Sequence, residues 1–373
     1  MNIEFGYDTS TQTVTVPEER LLAVLEPGAF PPAAGSEEDL VRAALAAPIG
    51  APPLREVITL VFARGVHRAH TDAERRHLAG EQAFSEITCI DSDPEDCLCL
   101  GTTRRGTPVE IMRTVAEADR RICLGNIEFH YFAGYSGGAK AIMPGVSTRA
   151  AIRANHSHMV EPGSHAAALA GNPVREDIEE AAALVGVDYI VNVVLDAHKH
   201  IVHAVAGDVT AAHRAGCAYL EQFYRRPIPA RADIVLVSQG GAPKDANLYH
   251  LQKALDNAKP AVKDGGVIVL VGCAKEGFGE STFEQWFRQA QSPRAIIERL
   301  REDFVLGGHK AAAIALVEER ADIYLVSDWP DEAVRGLFMT PFPNAQAAFD
   351  AAVQRCGSSA TVIAMPYGGS TLP

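Results

Sequence analysis

Residues 234–244 read IVLVSQGGAPK, an apolar run that passes through Ser and Gln into two glycines and a proline, with a helix-period segment after it. A continuous run of branched apolar residues is typical of a strand that is buried on both faces. The glycines and the proline predict a sharp turn after the strand. Strand, turn and helix in this order are typical of an α/β fold, in which the carboxyl end of the strand commonly faces a ligand.

The same alternation of strand and helix recurs along the chain. Residues 3–16 predict a hairpin, and further strand-like runs occupy 57–63, 121–124, 189–195, 267–271, 323–326 and 361–364. Helix-period segments include 174–185, 248–262 and 309–319. Such alternation implies parallel sheets covered by helices. We therefore expect an α/β fold with two domains, each with a mostly parallel sheet flanked by helices, and an active site in the cleft between them.

A boundary between two domains is predicted at RRPIP, residues 225–229, where two arginines and two prolines separate a helix from a new strand. A chain of 373 residues exceeds what one hydrophobic core usually organises. The predicted domains are residues 1–228, an N-terminal α/β domain, and residues 229–373, a Rossmann-like α/β domain.

The composition limits the classes of partner. The formal net charge is −13 and no basic stripe interrupts it, so nucleic acid is not expected as a partner. No apolar run approaches the roughly 20 residues that span a bilayer, and no basic start with an apolar segment opens the chain. The seven cysteines are scattered, which favours reduced thiols. We expect a cytoplasmic protein that does not enter a membrane.

Residues 129–140, FHYFAGYSGGAK, place Lys140 at the end of a turn with three glycines within five positions. Glycine is used where the backbone takes a positive φ or approaches a ligand closely. A lysine amine there can pair with phosphate, or can bond covalently to a carbonyl-like carbon once it is deprotonated. His130 precedes the turn and His156 follows Lys140 by sixteen residues. Because imidazole is a common ligand of nickel, copper and zinc, this segment is a candidate active site.

Two other kinds of site are compared with this segment. A phosphate-binding P-loop requires Ser or Thr directly after the lysine, whereas Ala141 follows Lys140. A zinc hydrolase would carry clustered ligands such as His-Glu-x-x-His, which the sequence lacks. His130, His156 and His158 could still meet in space, so a zinc-dependent hydrolase stays open as an alternative.

Short motifs along nearly the whole chain match the sequence pattern of one protein family. They are GVHR at 65–68, IEFH at 127–130, AGYSGGAK at 133–140, PGV at 144–146, NH at 155–156, GNP at 171–173, AGD at 206–208, the segment 240–253, GGHK at 307–310 and PYGGSTLP at 366–373. Together these motifs resemble the nickel-dependent lactate racemase family, which includes related 2-hydroxy-acid racemases and epimerases.

The resemblance implies a cofactor and a set of site residues. The cofactor is the nickel-pincer nucleotide, pyridinium-3-thioamide-5-thiocarboxylic acid mononucleotide with bound nickel, which requires cofactor-synthesis proteins for maturation. Lys140 would anchor it through a thioamide and His156 would ligate nickel. His67 and His130 would form the acid/base pair. The resemblance also assigns Lys253 to the substrate, and Tyr249 and His250 in the same segment are further candidates for substrate binding. Ser136, Gly137 and Gly138 could form only a turn that starts a helix, but their backbone N–H groups would also suit the cofactor's phosphate.

These residue types suit the chemistry that the resemblance implies. The hydrogen at carbon 2 of a 2-hydroxy acid is far too weakly acidic for imidazole to remove near pH 7. A hydride route avoids that carbanion, because one histidine takes the hydroxyl proton while hydride leaves for the pyridinium ring. The planar 2-keto acid is then reduced from the opposite face, which requires a second base. An unperturbed imidazole with a pKa near 6.5 suits both steps, and a lysine suits the substrate carboxylate.

The sequence departs from the family pattern upstream of residue 57. Family members carry an Asp-x-Thr-Arg-Pro box there, with its arginine at the substrate carboxylate, and we find no such box. We hypothesise that Arg64 or Arg68 supplies the missing charge. His250 also stands where glutamine is usual in the family. A catalytically impaired paralogue that binds the cofactor or a small acid is therefore the alternative to a racemase.

Overall fold

The computed structural model describes residues 1–31, 35–52, 59–63, 65, 68–196 and 200–373. The chain forms two compact units. We call Met1–Ala29 with Gln222–Pro373 the C-terminal unit, and Phe30–Glu221 the central unit.

Strands and helices are numbered separately in chain order. The strands are β1 Asn2–Tyr7, β2 Ser10–Thr15, β3 Leu21–Val24, β4 Thr59–Phe62, β5 Thr88–Asp91, β6 Cys97–Thr102, β7 Pro108–Met112, β8 Ile122–Asn126, β9 Phe129–His130, β10 Gly134–Tyr135, β11 Tyr189–Leu195, β12 Ile201–Gly207, β13 Ala232–Ser238, β14 Val262–Val271, β15 Asp322–Val326, β16 Thr340–Phe342 and β17 Val362–Met365. The helices are α1 Glu37–Ala46, α2 Asp72–Ala79, α3 Glu81–Glu86, α4 Arg113–Ala116, α5 Arg149–Ser157, α6 Pro173–Val185, α7 Ala211–Tyr224, α8 Leu248–Ala258, α9 Ser281–Gln289, α10 Pro293–Glu302, α11 Gly308–Glu318, α12 Asp331–Arg335 and α13 Ala345–Cys356.

The C-terminal unit is built on a parallel sheet with the strand order β16-β15-β14-β13-β17-β3. The apolar residues of β13 and β14 are fully buried, because the hairpin β1–β2 and α13 share one apolar core with them and α8 also packs against these strands. The turn at residues 239–244 leads from β13 into α8. The strand-turn-helix arrangement and the α/β fold predicted from the sequence are confirmed.

The central unit differs from the mostly parallel sheet that the sequence predicts. In its three-stranded sheet β11 is parallel to β8 but antiparallel to β12. The connection from Leu195 to Ile201 is too short for the crossover that a parallel pair requires, so β12 turns back along β11. Separate small sheets are parallel in the pair β4–β5 and antiparallel in the pairs β6–β7 and β9–β10.

The first 29 residues belong to the C-terminal unit, whereas the sequence predicts them in a domain of residues 1–228. The reason is strand pairing over a long sequence separation. β3 adds to the edge of the parallel sheet beside β17, and Leu25 N–H donates to the Ala364 carbonyl at 2.7 Å.

In the described part of the chain, no helix has the length and apolar character needed to cross a bilayer.

Candidate active site

The glycine-rich segment of the central unit folds into a short hairpin followed by a tight turn. Strands β9 and β10 pair antiparallel, with Gly134 opposite His130. Gly134 has φ +75°, and a Cβ atom there would lie 2.0 Å from the Ala168 carbonyl oxygen, so this position requires glycine. The hairpin leads into the 3₁₀ turn Gly138–Ala141, which carries Lys140.

Polar groups of the turn are hydrogen-bonded to the protein around it. Gly138 N–H donates to Asn192 Oδ1 at 2.7 Å, and a Cβ atom on Gly138 would lie 2.8 Å from the His213 ring. The Ser136 hydroxyl donates to the Asn126 carbonyl at 2.9 Å and accepts from the backbone N–H of Glu128 at 2.8 Å. These contacts fix the conformation of the turn. The role of Ser136, Gly137 and Gly138 at the cofactor's phosphate stays a prediction.

The buried ring of Phe132 brings together three residues that the sequence places apart. Its centroid lies 4.5 Å from that of His130 and 5.0 Å from that of His156, both edge-on. The Nζ atom of Lys140 lies 6.0 Å from the same ring centroid. The candidate anchor, the candidate metal ligand and one candidate acid/base therefore surround a single aromatic ring.

The amine of Lys140 has an environment that favours its neutral form. Burial lowers its pKa from 10.5 to about 7, and the positive charge of Arg175 acts in the same direction. About half of the Lys140 amines are then unprotonated at neutral pH. An unprotonated lysine amine is a nucleophile, which is the state that a covalent anchor requires.

Arg175 is a buried cation that holds the segment before the turn. Its Nε donates to the Ala133 carbonyl at 3.0 Å, and Nη2 donates to the carbonyl of Tyr135. Among the described residues its Nη1 has no hydrogen-bond partner. Arg175 thus ties α6 to the hairpin and adds a positive charge near Lys140.

The ring of His156 is oriented by its neighbour Asn155. The Asn155 amide Nδ2 donates to Asp177 Oδ2 at 2.7 Å and to the Val174 carbonyl at 3.2 Å, so Oδ1 faces Nδ1 of His156 at 2.9 Å. Because Oδ1 is an acceptor, Nδ1 carries the proton of the neutral ring and Nε2 is the basic nitrogen. This orientation by a partner at the other ring nitrogen is typical of histidines that ligate metals.

His130 is held in the opposite tautomer. Its Nδ1 accepts from the backbone N–H of Ala133 at 3.2 Å, so in the neutral ring the proton lies on Nε2. The ring also stacks on Tyr131, with the centroids 5.2 Å apart. The His130 side chain is half-buried and lies edge-on to the Phe132 ring.

Of the two arginines proposed at the carboxylate, the structure describes Arg68. It is exposed and pairs with Glu74, with Nη2 and Oε1 2.6 Å apart. Glu74 belongs to the capping box of α2, so the guanidinium of Arg68 is already bound at a helix terminus. Arg64 and His67 lie outside the described residues.

The predicted substrate residues Tyr249, His250 and Lys253 lie on α8 of the C-terminal unit. Asn247 caps this helix by accepting from the His250 N–H at 3.0 Å. The side chains of His250 and Lys253 are exposed, and Tyr249 is half-buried. Tyr249 and Lys253 are one helical turn apart and therefore share a face of α8.

Several residues of these sites are not predicted from the sequence. Phe132 gives no signal of its role, because its contacts depend on the fold. Arg175 gives a weak signal, since its spacing to Ile178 and Ala182 places an arginine on the apolar face of α6.

For the zinc hydrolase alternative, the described ranges contain no group of three or more His, Cys, Asp or Glu side chains that could hold a metal ion.

Two family models match this chain. The lactate racemase N-terminal domain matches residues 55–167, and the lactate racemase C-terminal domain matches residues 228–372.

Two curated relatives are lactate racemases. The protein from Thermoanaerobacterium thermosaccharolyticum is 28% identical over 422 aligned positions, which cover 100% of this chain and 99% of the relative. That alignment is longer than the 373 residues of this chain, so the relative has residues with no counterpart in it. The protein from Lactiplantibacillus plantarum is 30% identical, covering 83% of this chain and 76% of the relative.

Solved structures share the fold. The lactate racemase apoprotein from T. thermosaccharolyticum superimposes with a TM-score of 0.88 and 29% identity, covering 100% of this chain and 99% of that chain. A protein from Thermotoga maritima superimposes with a TM-score of 0.57 at 15% identity, over 84% and 85% of the two chains.

Proposed function

Because the chain belongs to the lactate racemase family, we propose that it racemises or epimerises a 2-hydroxy acid, lactate or a related acid, by reversible hydride transfer with the nickel-pincer nucleotide. The chain is an isomerase of the racemase type. The observation that carries the proposal is the group of Lys140, His156 and His130 around Phe132.

The residues around Phe132 fit the cofactor. Lys140, with a pKa lowered to about 7, has the nucleophilic amine that a covalent bond needs. His156 has a basic Nε2, which suits a nickel ion. When bound, the group supplies a pyridinium ring that accepts and returns hydride, which protein side chains do not.

The side chains of the chain itself position the substrate and move its proton. His130 and, by resemblance, His67 are the pair that takes the hydroxyl proton from the substrate and returns it. Two such groups are needed because the planar keto acid is reduced from either face. Positioned acid/base groups of this kind typically contribute about 10²- to 10⁴-fold to a rate.

A second candidate function follows from the missing Asp-x-Thr-Arg-Pro box. A chain without that arginine lacks one charge-assisted pair with a carboxylate, which contributes roughly 1.5–3 kcal/mol as hydrogen bonding alone. The alternative is a paralogue that binds the cofactor or a small acid without turning it over.

A turnover assay separates the two candidates. The chain is produced together with the cofactor-synthesis proteins, and single enantiomers of lactate and other chiral 2-hydroxy acids are followed by polarimetry. We expect optical rotation to decay to zero with at least one of the acids, or to an epimer equilibrium where a second stereocentre is present. A constant rotation with the whole panel, despite a loaded cofactor, would favour the binding paralogue.

A further inference from the structure

A fully buried carboxylate of the central unit, that of Asp177 on α6, accepts hydrogen bonds from two other segments of the chain. The hydroxyls of Thr103 and Thr107, in the turn between β6 and β7, donate to Oδ1 and Oδ2, the second of them at 2.7 Å. The amide of Asn155 on α5 donates to Oδ2, also at 2.7 Å. Asp177 therefore joins α5, α6 and the turn between β6 and β7.

These donors take the place of a counterion for Asp177. Among the described residues, no lysine, arginine or histidine forms an ion pair with this carboxylate. A buried charge is costly unless its hydrogen-bonding capacity is satisfied. An ionised carboxylate has no proton to donate, so each of its three partners must present a hydrogen atom. For Asn155, this means that the amide nitrogen and not the amide oxygen faces Asp177.

The orientation of the Asn155 amide is set by the two acceptors that Nδ2 faces. They are Asp177 Oδ2 and the Val174 carbonyl, which lies 3.2 Å from Nδ2. A flipped amide would place Oδ1 against both of these oxygens. The bond to the carboxylate is the shorter one, and hydrogen bonds to charged acceptors are roughly twice as strong as neutral ones. Asp177 therefore contributes most to directing Oδ1 towards Nδ1 of His156.

We propose that Asp177 is a positioning residue for the candidate nickel ligand. Through the Asn155 amide it keeps the proton of the neutral His156 ring on Nδ1, so that Nε2 carries the lone pair that a metal requires. The inference rests on the proposed function, because that function supplies the nickel ion. In the sequence, Asp177 belongs to none of the matching motifs, and its partner Thr103 lies 74 positions away.

The first test compares the nickel retention of proteins that carry the cofactor. Asp177→Leu removes the acceptor at a similar side-chain volume. We expect the chelator concentration that removes half of the nickel to fall about tenfold to a hundredfold, the usual loss for a partner of a metal ligand. Ile178→Ala is the matched control, because Ile178 is the next residue of α6, is fully buried and has no polar side chain. It leaves a cavity, but should retain nickel like the wild type.

An exchange of the two side chains separates polarity from packing. Asn155→Asp alone places two carboxylates side by side and should weaken nickel retention. The double variant Asn155→Asp with Asp177→Asn again pairs one amide with one carboxylate, and residue 155 still accepts from Nδ1 of His156. We expect the double variant to recover most of the nickel retention. If circular dichroism shows that Asp177→Leu does not fold, this comparison decides, and a double variant no better than Asn155→Asp would contradict the proposal.

The position of the proton on the His156 ring is a readout that a purely structural role would not change. Nitrogen NMR of protein with isotope-labelled histidine, prepared without cofactor, distinguishes a protonated from an unprotonated ring nitrogen. The variant His156→Gln identifies the signals of this ring. We expect a protonated Nδ1 in the wild type and in Ile178→Ala, and a larger share of protonated Nε2 in Asp177→Leu.

The outcomes separate this inference from the proposed function. A wild type that carries the cofactor on Lys140 but no nickel would overturn the proposed function, and this inference with it. With nickel in the wild type, equal nickel retention and equal proton positions in Asp177→Leu and Ile178→Ala would overturn this inference alone. The proposal requires both effects in Asp177→Leu. Nickel loss without a moved proton, or a moved proton without nickel loss, would also contradict it.

Discussion

Lys140 in the central unit and Lys310 in the C-terminal unit are both partly buried, yet their surroundings give them different charges. Burial and the cation Arg175 lower the pKa of Lys140 to about 7, whereas the pKa of Lys310 falls only to about 8, with Asp256 opposing the decrease. At pH 7 about half of the Lys140 amines are neutral, against roughly a tenth of the Lys310 amines. The same side chain type is therefore about half neutral in one unit, as the proposed anchor requires, and mostly cationic in the other.

The largest expected effect comes from replacing each lysine by arginine. Lys140→Arg keeps a positive charge but removes the nucleophilic amine, so it should abolish cofactor attachment and racemisation. Lys310→Arg keeps the positive charge of Lys310 and replaces no proposed nucleophile, so it should retain most of the activity. Racemisation of one lactate enantiomer and the intact mass of each variant measure this difference. Comparable activity of the two variants would contradict the prediction that only Lys140 is needed as a nucleophilic amine.

A nearly as large effect is expected at the metal ligand. His156→Ala should reduce the nickel content of the purified protein to background, because it removes the nitrogen that we propose as the protein's nickel ligand. His158→Ala is the matched control, since His158 lies two residues further along and pairs with Glu161, with Nδ1 and Oε1 2.5 Å apart. Metal analysis of both variants checks the prediction, and equal nickel loss in both would contradict it.

An intermediate effect is expected if Arg64 also contributes a cation to substrate binding. Arg64→Ala should lower kcat/KM about tenfold to a hundredfold, the loss expected for one charge-assisted pair. Arg288→Ala is the control, because Arg288 is exposed and pairs with Glu284 on α9. Similar kcat/KM values for the two variants would show that Arg64 has no such role and would leave Lys253 as the candidate cation at the carboxylate.

The smallest effect is a difference of about one pH unit in amine reactivity. A protonated amine does not react with an acylating reagent, so labelling of each lysine should reach half its maximum near its pKa. We expect midpoints of about 7 for Lys140 and about 8 for Lys310 in the protein without cofactor. Arg175→Met should raise the midpoint of Lys140 and leave that of Lys310 unchanged. Peptide mass spectrometry of labelled samples measures the midpoint of each lysine. Equal midpoints for Lys140 and Lys310 would contradict the difference in pKa between them.

The sequence predicts local elements well because their signals are local. The apolar runs predicted at residues 189–195 and 234–237 form β11 and β13 in the structure. Pairing between strands that are far apart in the sequence is not predicted by such local patterns. Nothing in residues 21–24 indicates that β3 adds to the sheet beside β17, which is more than 300 residues away.

The candidate site shows the same limit. Motifs identify Lys140, His130 and His156, since glycine and histidine have distinctive uses. They do not identify Phe132 or Arg175, because an aromatic ring and a helix arginine are common on any α/β protein. Their contacts are created by the fold, such as those of Arg175 with the Ala133 carbonyl and of Phe132 with the His156 ring.

The central claim is that the Lys140 amine forms a covalent bond with a nickel-bearing nucleotide. Peptide mass spectrometry of the wild-type chain, purified from cells that make this cofactor, tests it most directly. We expect the peptide containing Lys140 to carry the added mass of the cofactor, and peptides containing Lys253 or Lys310 not to carry it. An unmodified Lys140 peptide in a preparation that racemises lactate would contradict the account.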